Sequence, residues 1–220
     1  MSNIVKNTTF PGILDLLMPH TCRGCGRIGI VLCERCKNNI ILDHFNHPPK
    51  FDPPKSFPPI FIVSDRIGLI NTLIYDFKYN SVRTLAKPFA EVLNAILPKL
   101  ENQTIIVPLP TINRHIRLRG LDHTYLIAKR LAKLRHYSVQ KILIRNQNTV
   151  QVGADRKTRF AQAQTAYSID PNFKINPNTT YILFDDVWTT GASMKAAVKK
   201  LRQSGARKIV VLLLAISRLK

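Results

Sequence analysis

The chain's 220 residues, 45% of them hydrophobic, have room for one full α/β domain with a packed core plus a small appendage. Thirty-three Lys and Arg against 13 Asp and Glu give a formal charge of +20 and a sequence pI of about 10.3. That balance is silent about fold but favours a polyanionic partner: nucleic acid, a phosphorylated metabolite or an anionic membrane surface, with a merely basic, soluble protein as the plain alternative. The N-terminus has no apolar stretch followed by a small-residue cleavage site. The longest apolar run, 209–216, falls far short of the roughly 20 residues of a membrane helix. A cytoplasmic location is expected, and with it reduced thiols.

Residues 11–18 (PGILDLLM) read as a short amphipathic helix. All four cysteines follow in CRGCGRIGIVLCERC, as Cys22, Cys25, Cys33 and Cys36. Two Cys-x-x-Cys pairs on a short loop can close a tetrahedron of thiolates around a metal, and Zn²⁺ suits such soft ligands best, with iron as the other choice. Four protein ligands leave no open position, so the site is structural. A redox dithiol or two disulfides is the alternative. Gly24 and Gly26 relax the knuckle backbone. His20, His44 and His47 flank it, either as solvated residues or as a replacement for one thiolate.

The stretch 44–59 (HFNHPPKFDPPKSFPP) carries six prolines from Pro48 onward and reads as an extended, semi-rigid connector. We therefore expect a metal module over 1–42, a connector over 43–59 and a main domain over 60–220. In the main domain Leu69, Ile70, Leu73, Ile74 and Phe77 recur at helical spacing, and 85–100 continues in that style. Four continuous apolar runs, 105–107, 142–144, 181–184 and 209–216, predict strands buried on both faces of a parallel sheet. Helical segments at 121–134 and 192–203 separate them, the second ending at a capping Gly205.

The segment 181–193 (YILFDDVWTTGAS) is the most informative. A buried strand ends in Asp185 and Asp186, and a loop of small hydroxyl residues then opens a helix. Thr189, Thr190, Gly191, Ala192 and Ser193 offer N–H groups and hydroxyls at a helix N-terminus, where the dipole favours an anion. The two carboxylates can accept from vicinal ribose hydroxyls at the strand's carboxyl end, the ligand edge of open α/β sheets. Neither a Walker loop nor a dinucleotide G-x-G-x-x-G is present.

This string resembles the phosphoribosyl-pyrophosphate signature of type I phosphoribosyltransferases. The stretches 107–120 (VPLPTINRHIRLRG) and 151–166 (QVGADRKTRFAQAQTA), and the Lys-Tyr helix region at 75–100, resemble the ComF family. With the cysteine knuckle, the resemblance spans nearly the whole chain. Where the family commonly reads Arg-Gly-Phe-Asn-Gln, this chain has Arg119, Gly120, Leu121, Asp122 and His123. The resemblance implies an open, mostly parallel sheet of type I phosphoribosyltransferase fold behind a four-cysteine zinc module. It implies Asp185 and Asp186 as the catalytic, ribose-binding pair and residues 189–193 as the 5′-phosphate loop. Pro108 and Arg119 would lie toward the pyrophosphate, which Mg²⁺ neutralises, and 151–159 would form a flap.

The resemblance further implies a late step of DNA uptake in natural transformation, with single-stranded DNA and the uptake machinery as partners. Arg114, Arg117, Arg119, Arg156, Lys157 and Arg159 are candidate DNA contacts, with Tyr125, Tyr137 and Phe160 as stacking aromatics. Three readings follow: a competence protein binding phosphoribosyl pyrophosphate and single-stranded DNA, a nucleobase salvage transferase, and a non-catalytic module of the same fold.

Overall fold

A computed structural model describes residues 20–101, 103–111, 120–146 and 166–217. The predicted helix at 11–18 and the flap at 151–159 lie outside them. The chain opens with the cysteine knuckle and helix α1 (Glu34–Asn46). There follow β1 (Ile60–Asp65), α2 (Gly68–Tyr79), a 3₁₀ turn, α3 (Ala86–Ile96) and β2 (Thr104–Pro108). Then come α4 (His123–Arg135), β3 (Ser138–Val139), β4 (Leu143–Arg145), β5 (Tyr167–Ile169), β6 (Thr180–Trp188), α5 (Ala192–Gln203) and β7 (Lys208–Ile216).

Five strands form an open sheet in the order β1-β7-β6-β2-β3, and every pairing in it is parallel. β6 lies at the centre because it can: Tyr181, Ile182, Leu183 and Phe184 are all fully buried, with no polar face to give to water. The alternation of a strand sends Ile182 and Phe184 into a core shared with α2, α3 and α4, while Tyr181 and Leu183 face α5. Each such side chain contributes about 1.5–3 kcal/mol by burial. Gly205, at φ +102, ends α5 in the left-handed conformation expected of it.

Three expectations are corrected. The run 142–144 is not a strand of the parallel sheet; β4 pairs antiparallel with β5 in a separate two-stranded ribbon. Only Leu143 of β4 is buried, whereas a strand inside the main sheet needs both faces covered. Residues 44–46, read as the start of the extended stretch, form instead the end of α1, which runs to Asn46. The first proline is Pro48, and only the residue before it, His47, is pushed out of helical geometry. Finally, β6 continues two residues past the acidic pair, to Trp188.

The knuckle is not an isolated bead. Cys22, Val31, Leu32, Cys33 and Cys36 share one buried cluster with Leu73, Phe77 and Phe89 of the sheet-covering helices. Arg23 Nε donates to Asp76 Oδ2 of α2 at 2.5 Å, and Lys37 Nζ to Glu91 Oε2 of α3 at 2.5 Å.

Candidate ribose-phosphate site and metal knuckle

Beyond β6 the chain turns sharply at Gly191, which adopts φ +73 as the N-cap of α5. A residue with a Cβ is strained there. Gly191 brings no capping side chain, so the first-turn N–H groups of α5 are left to whatever enters the loop, apart from a 3.4 Å contact from Ala192 N to Thr190 Oγ1. The loop encloses a cavity of about 50 Å³ lined by Asp185, Thr189, Thr190, Gly191, Ala192 and Ser193, among others. Its floor is Trp188, set edge-to-face between Phe51 and Phe57 of the proline-rich connector at centroid distances of 5.0 and 5.6 Å.

Asp185 and Ser193 also line a wider cleft of about 260 Å³. Its walls include Asp186, Lys78 and Tyr79 of α2, Leu109 to Thr111 after β2, and Arg145 and Tyr167 of the ribbon. Burial, then the adjacent Asp186 charge, pushes the Asp185 carboxyl up to about 7; the Asp186 N–H, Lys78 and Arg145 act against them. Pro108 itself is buried in β2 opposite Phe184, and the cleft lining starts one residue later.

Residues 109–111 are strapped to the start of α4. Asp122 caps that helix, accepting from Tyr125 N at 3.2 Å, and its Oδ1 also accepts from Thr124 Oγ1 at 3.1 Å. Leu109 O, 3.2 Å from Thr124 Oγ1, is the alternative acceptor for that single hydroxyl proton, and Lys141 Nζ pairs with Asp122 Oδ2 at 2.9 Å. His123 is buried edge-to-face on Phe77 and lines the cleft. Asp122 and His123 thus build a helix cap and a cleft wall.

The four cysteine Sγ atoms lie within 4.8 Å of one another, with Cys25 and Cys33 at 3.6 Å. A tetrahedron with Zn–S bonds of about 2.3 Å has edges of about 3.8 Å, so the cluster can hold a metal such as zinc. Burial works to raise the Cys22 thiol, yet the N–H groups of Cys33, Cys25 and Gly24 outweigh it and bring it down to about 6. Gly26 takes φ +76, whereas Gly24 is needed for closeness: a Cβ there would stand 2.6 Å from Cys36 Sγ. Two of the flanking histidines bond elsewhere, His44 to Val63 O and His47 to Asp43.

No protein-family model matches the chain. Over 212 residues it is 24% identical to competence protein F of Haemophilus influenzae, covering 91% of this chain and 92% of that protein. The chain is ComF-like along its length. Among solved structures it is similar to the allosteric regulatory enzyme of purine biosynthesis, at 16% identity and TM-score 0.42, over 60% of this chain and 26% of that one. It is also similar to a hypoxanthine phosphoribosyltransferase from Staphylococcus aureus, at 11% identity and TM-score 0.36, over 62% and 64% of the two chains. The ComF-like chain thus spans about a quarter of the first of these structures and under two thirds of the second.

Of the residues expected from sequence, Asp185, Asp186 and 189–193 come together around the loop and cleft. Arg114, Arg117, Arg119, Arg156, Lys157, Arg159 and Phe160 lie outside the described residues. Tyr125 lies under Lys141 Nζ, 4.2 Å from its ring centroid, and the Tyr137 hydroxyl accepts from Leu100 N. Among the described residues Tyr75 and Tyr79 on α2 form an exposed aromatic pair, 5.0 Å apart. Sequence reasoning missed Lys78, Arg145 and Tyr167 at the cleft. Only the Lys-Tyr string of α2 offered a signal for any of them.

Proposed function

We propose that this ComF-like chain binds phosphoribosyl pyrophosphate with Mg²⁺ in the cleft and single-stranded DNA on its basic surface, acting in the cytoplasm in DNA uptake during natural transformation. The observation that carries the reading is the continuity of loop and cleft through Asp185 and Ser193. That continuity suits one ligand with a phosphate at one end and a ribose diol next to it. Asp185 and Asp186 accept from the diol, and the N–H groups and hydroxyls of 189–193 hold the 5′-phosphate. Among the described residues only the four cysteines form a metal-ligand cluster, so Mg²⁺ arrives on the ligand's own phosphates. Zn²⁺ occupies the cysteine cluster and has a structural role. The name of the Haemophilus relative and the chain's charge of +20 support the uptake role and contact with its machinery.

The deciding experiment is binding of a labelled single-stranded oligonucleotide across a salt series, with and without phosphoribosyl pyrophosphate and Mg²⁺. Binding that weakens steeply with salt, and that the metabolite alters, is expected. Metabolite binding with no DNA binding even at low salt would turn the reading toward a small-molecule transferase.

A further inference from the structure

Adjacent residues of a strand face opposite sides of its sheet, so the two aspartates of β6 cannot share one environment. Continuing the alternation of Leu183 and Phe184, Asp185 falls on the α5 side, among Arg145, Tyr167 and Ser193. Asp186 falls on the α2 side. There Lys78 Nζ donates to Asp186 Oδ1 at 2.8 Å, with only 16% and 11% of the two side chains exposed. An ion pair this withdrawn from water is costly to break, because the surviving partner is left buried and uncompensated. Lys78 is carried on the last turn of α2, whose Asp76 is fixed by Arg23 and by Asn80 Nδ2 at 2.7 Å.

We propose that Lys78 is a positioning residue of the ribose-phosphate site, holding Asp186 by one oxygen so that the other faces the cleft. The assignment rests on the reading of the cleft given above, but half of its consequence does not need a ligand. Among the described residues, the charged and titratable groups facing Asp185 are Asp186, Lys78, Arg145 and Tyr167. Asp186 opposes ionisation of Asp185, whereas Lys78 and Arg145 favour it. Removing the ammonium leaves two adjacent carboxylates and, of these two cations, only Arg145.

The test has two arms. In the ligand-free protein, carboxyl carbon NMR follows Asp185 through its titration, assigned with Asp185→Asn. The midpoint should move upward in Lys78→Met and return in Lys78→Arg. In the second arm, calorimetric titration with phosphoribosyl pyrophosphate and Mg²⁺ should show affinity falling roughly tenfold or more in Lys78→Met and recovering in Lys78→Arg. An unmoved Asp185 midpoint in folded Lys78→Met overturns the proposal whatever the ligand does, as does unchanged affinity where the wild type binds. A wild type that fails to bind the metabolite overturns the functional reading instead, and the first arm still decides Lys78. Should Lys78→Met not fold, Lys78→Gln keeps a hydrogen-bond donor without the charge and serves the same comparison.

Discussion

Trp188 fills the space where Gly191 would carry a side chain: a Cβ added to the glycine would stand 2.1 Å from the nearest indole carbon. The glycine at the head of α5 is therefore fixed twice, by its positive φ and by the ring beneath it. Gly191→Ala is expected to cost about 2 kcal/mol or more, from left-handed strain plus overpacking. It should also abolish binding of the phosphorylated ligand. Trp188 is the chain's single tryptophan, so its fluorescence reports both effects, the first by urea melt and the second by ligand titration.

Asp185 gives the apo protein a signed pH dependence. Its folded-state pKa, about 7, lies above the ordinary 3.8, so the folded state holds the proton more tightly than the unfolded state does. Its contribution to stability is full below about pH 4 and is lost as pH rises to about 7. Asp185→Asn should flatten that part of the profile and make the protein relatively more stable at pH 8, by on the order of 2 kcal/mol. Denaturant melts of the two proteins at pH 5 and pH 8 measure the difference; parallel profiles would contradict it.

Replacing both Asp185 and Asp186 by Ala should abolish binding of phosphoribosyl pyrophosphate while the far-ultraviolet circular dichroism stays that of the wild type. Both residues sit at the ligand edge of β6, and the four residues before them hold the strand in place. Wild-type affinity in the double variant would refute the site.

Cys22→Ser with Cys33→Ser should release the metal, measurable by elemental analysis of dialysed protein. Because the knuckle shares its buried cluster with α2 and α3, the melting temperature of the whole chain should fall, not only that of the first segment. A metal content equal to wild type would mean that other residues hold it.

The Asp122 cap can be tested alone. Asp122→Ala should cost about 1 kcal/mol by urea melt, and it releases Thr111 and Thr124 from the carboxylate they share. The ligand affinity should fall with it, since residues 109–111 line the cleft.

Features written in contiguous residues were legible in the sequence. The strand Tyr181 to Phe184, the glycine-opened helix α5 and its Gly205 stop all follow from local patterning, and α5 starts and ends where it was expected. The cysteine pairs were legible because metal geometry demands their spacing. The run 142–144 was not: it has the same composition whether it enters a parallel sheet, as 105–107 does, or a ribbon, and the choice is made by Tyr167–Ile169, some 20 residues away. Lys78 was only faintly legible, through the Lys-Tyr string of α2. The partner that gives it a place in the cleft lies 108 residues along the chain.

Phe51 and Phe57 make the proline-rich segment part of the footing of the loop after β6. Anyone recombining this chain with a relative would meet that fact directly. A crossover placed at residue 60, where the sheet begins, would discard the two rings that wedge Trp188 under the turn. A crossover placed just before Pro48 would carry both rings along with the loop they support. The seam for grafting therefore lies upstream of the prolines.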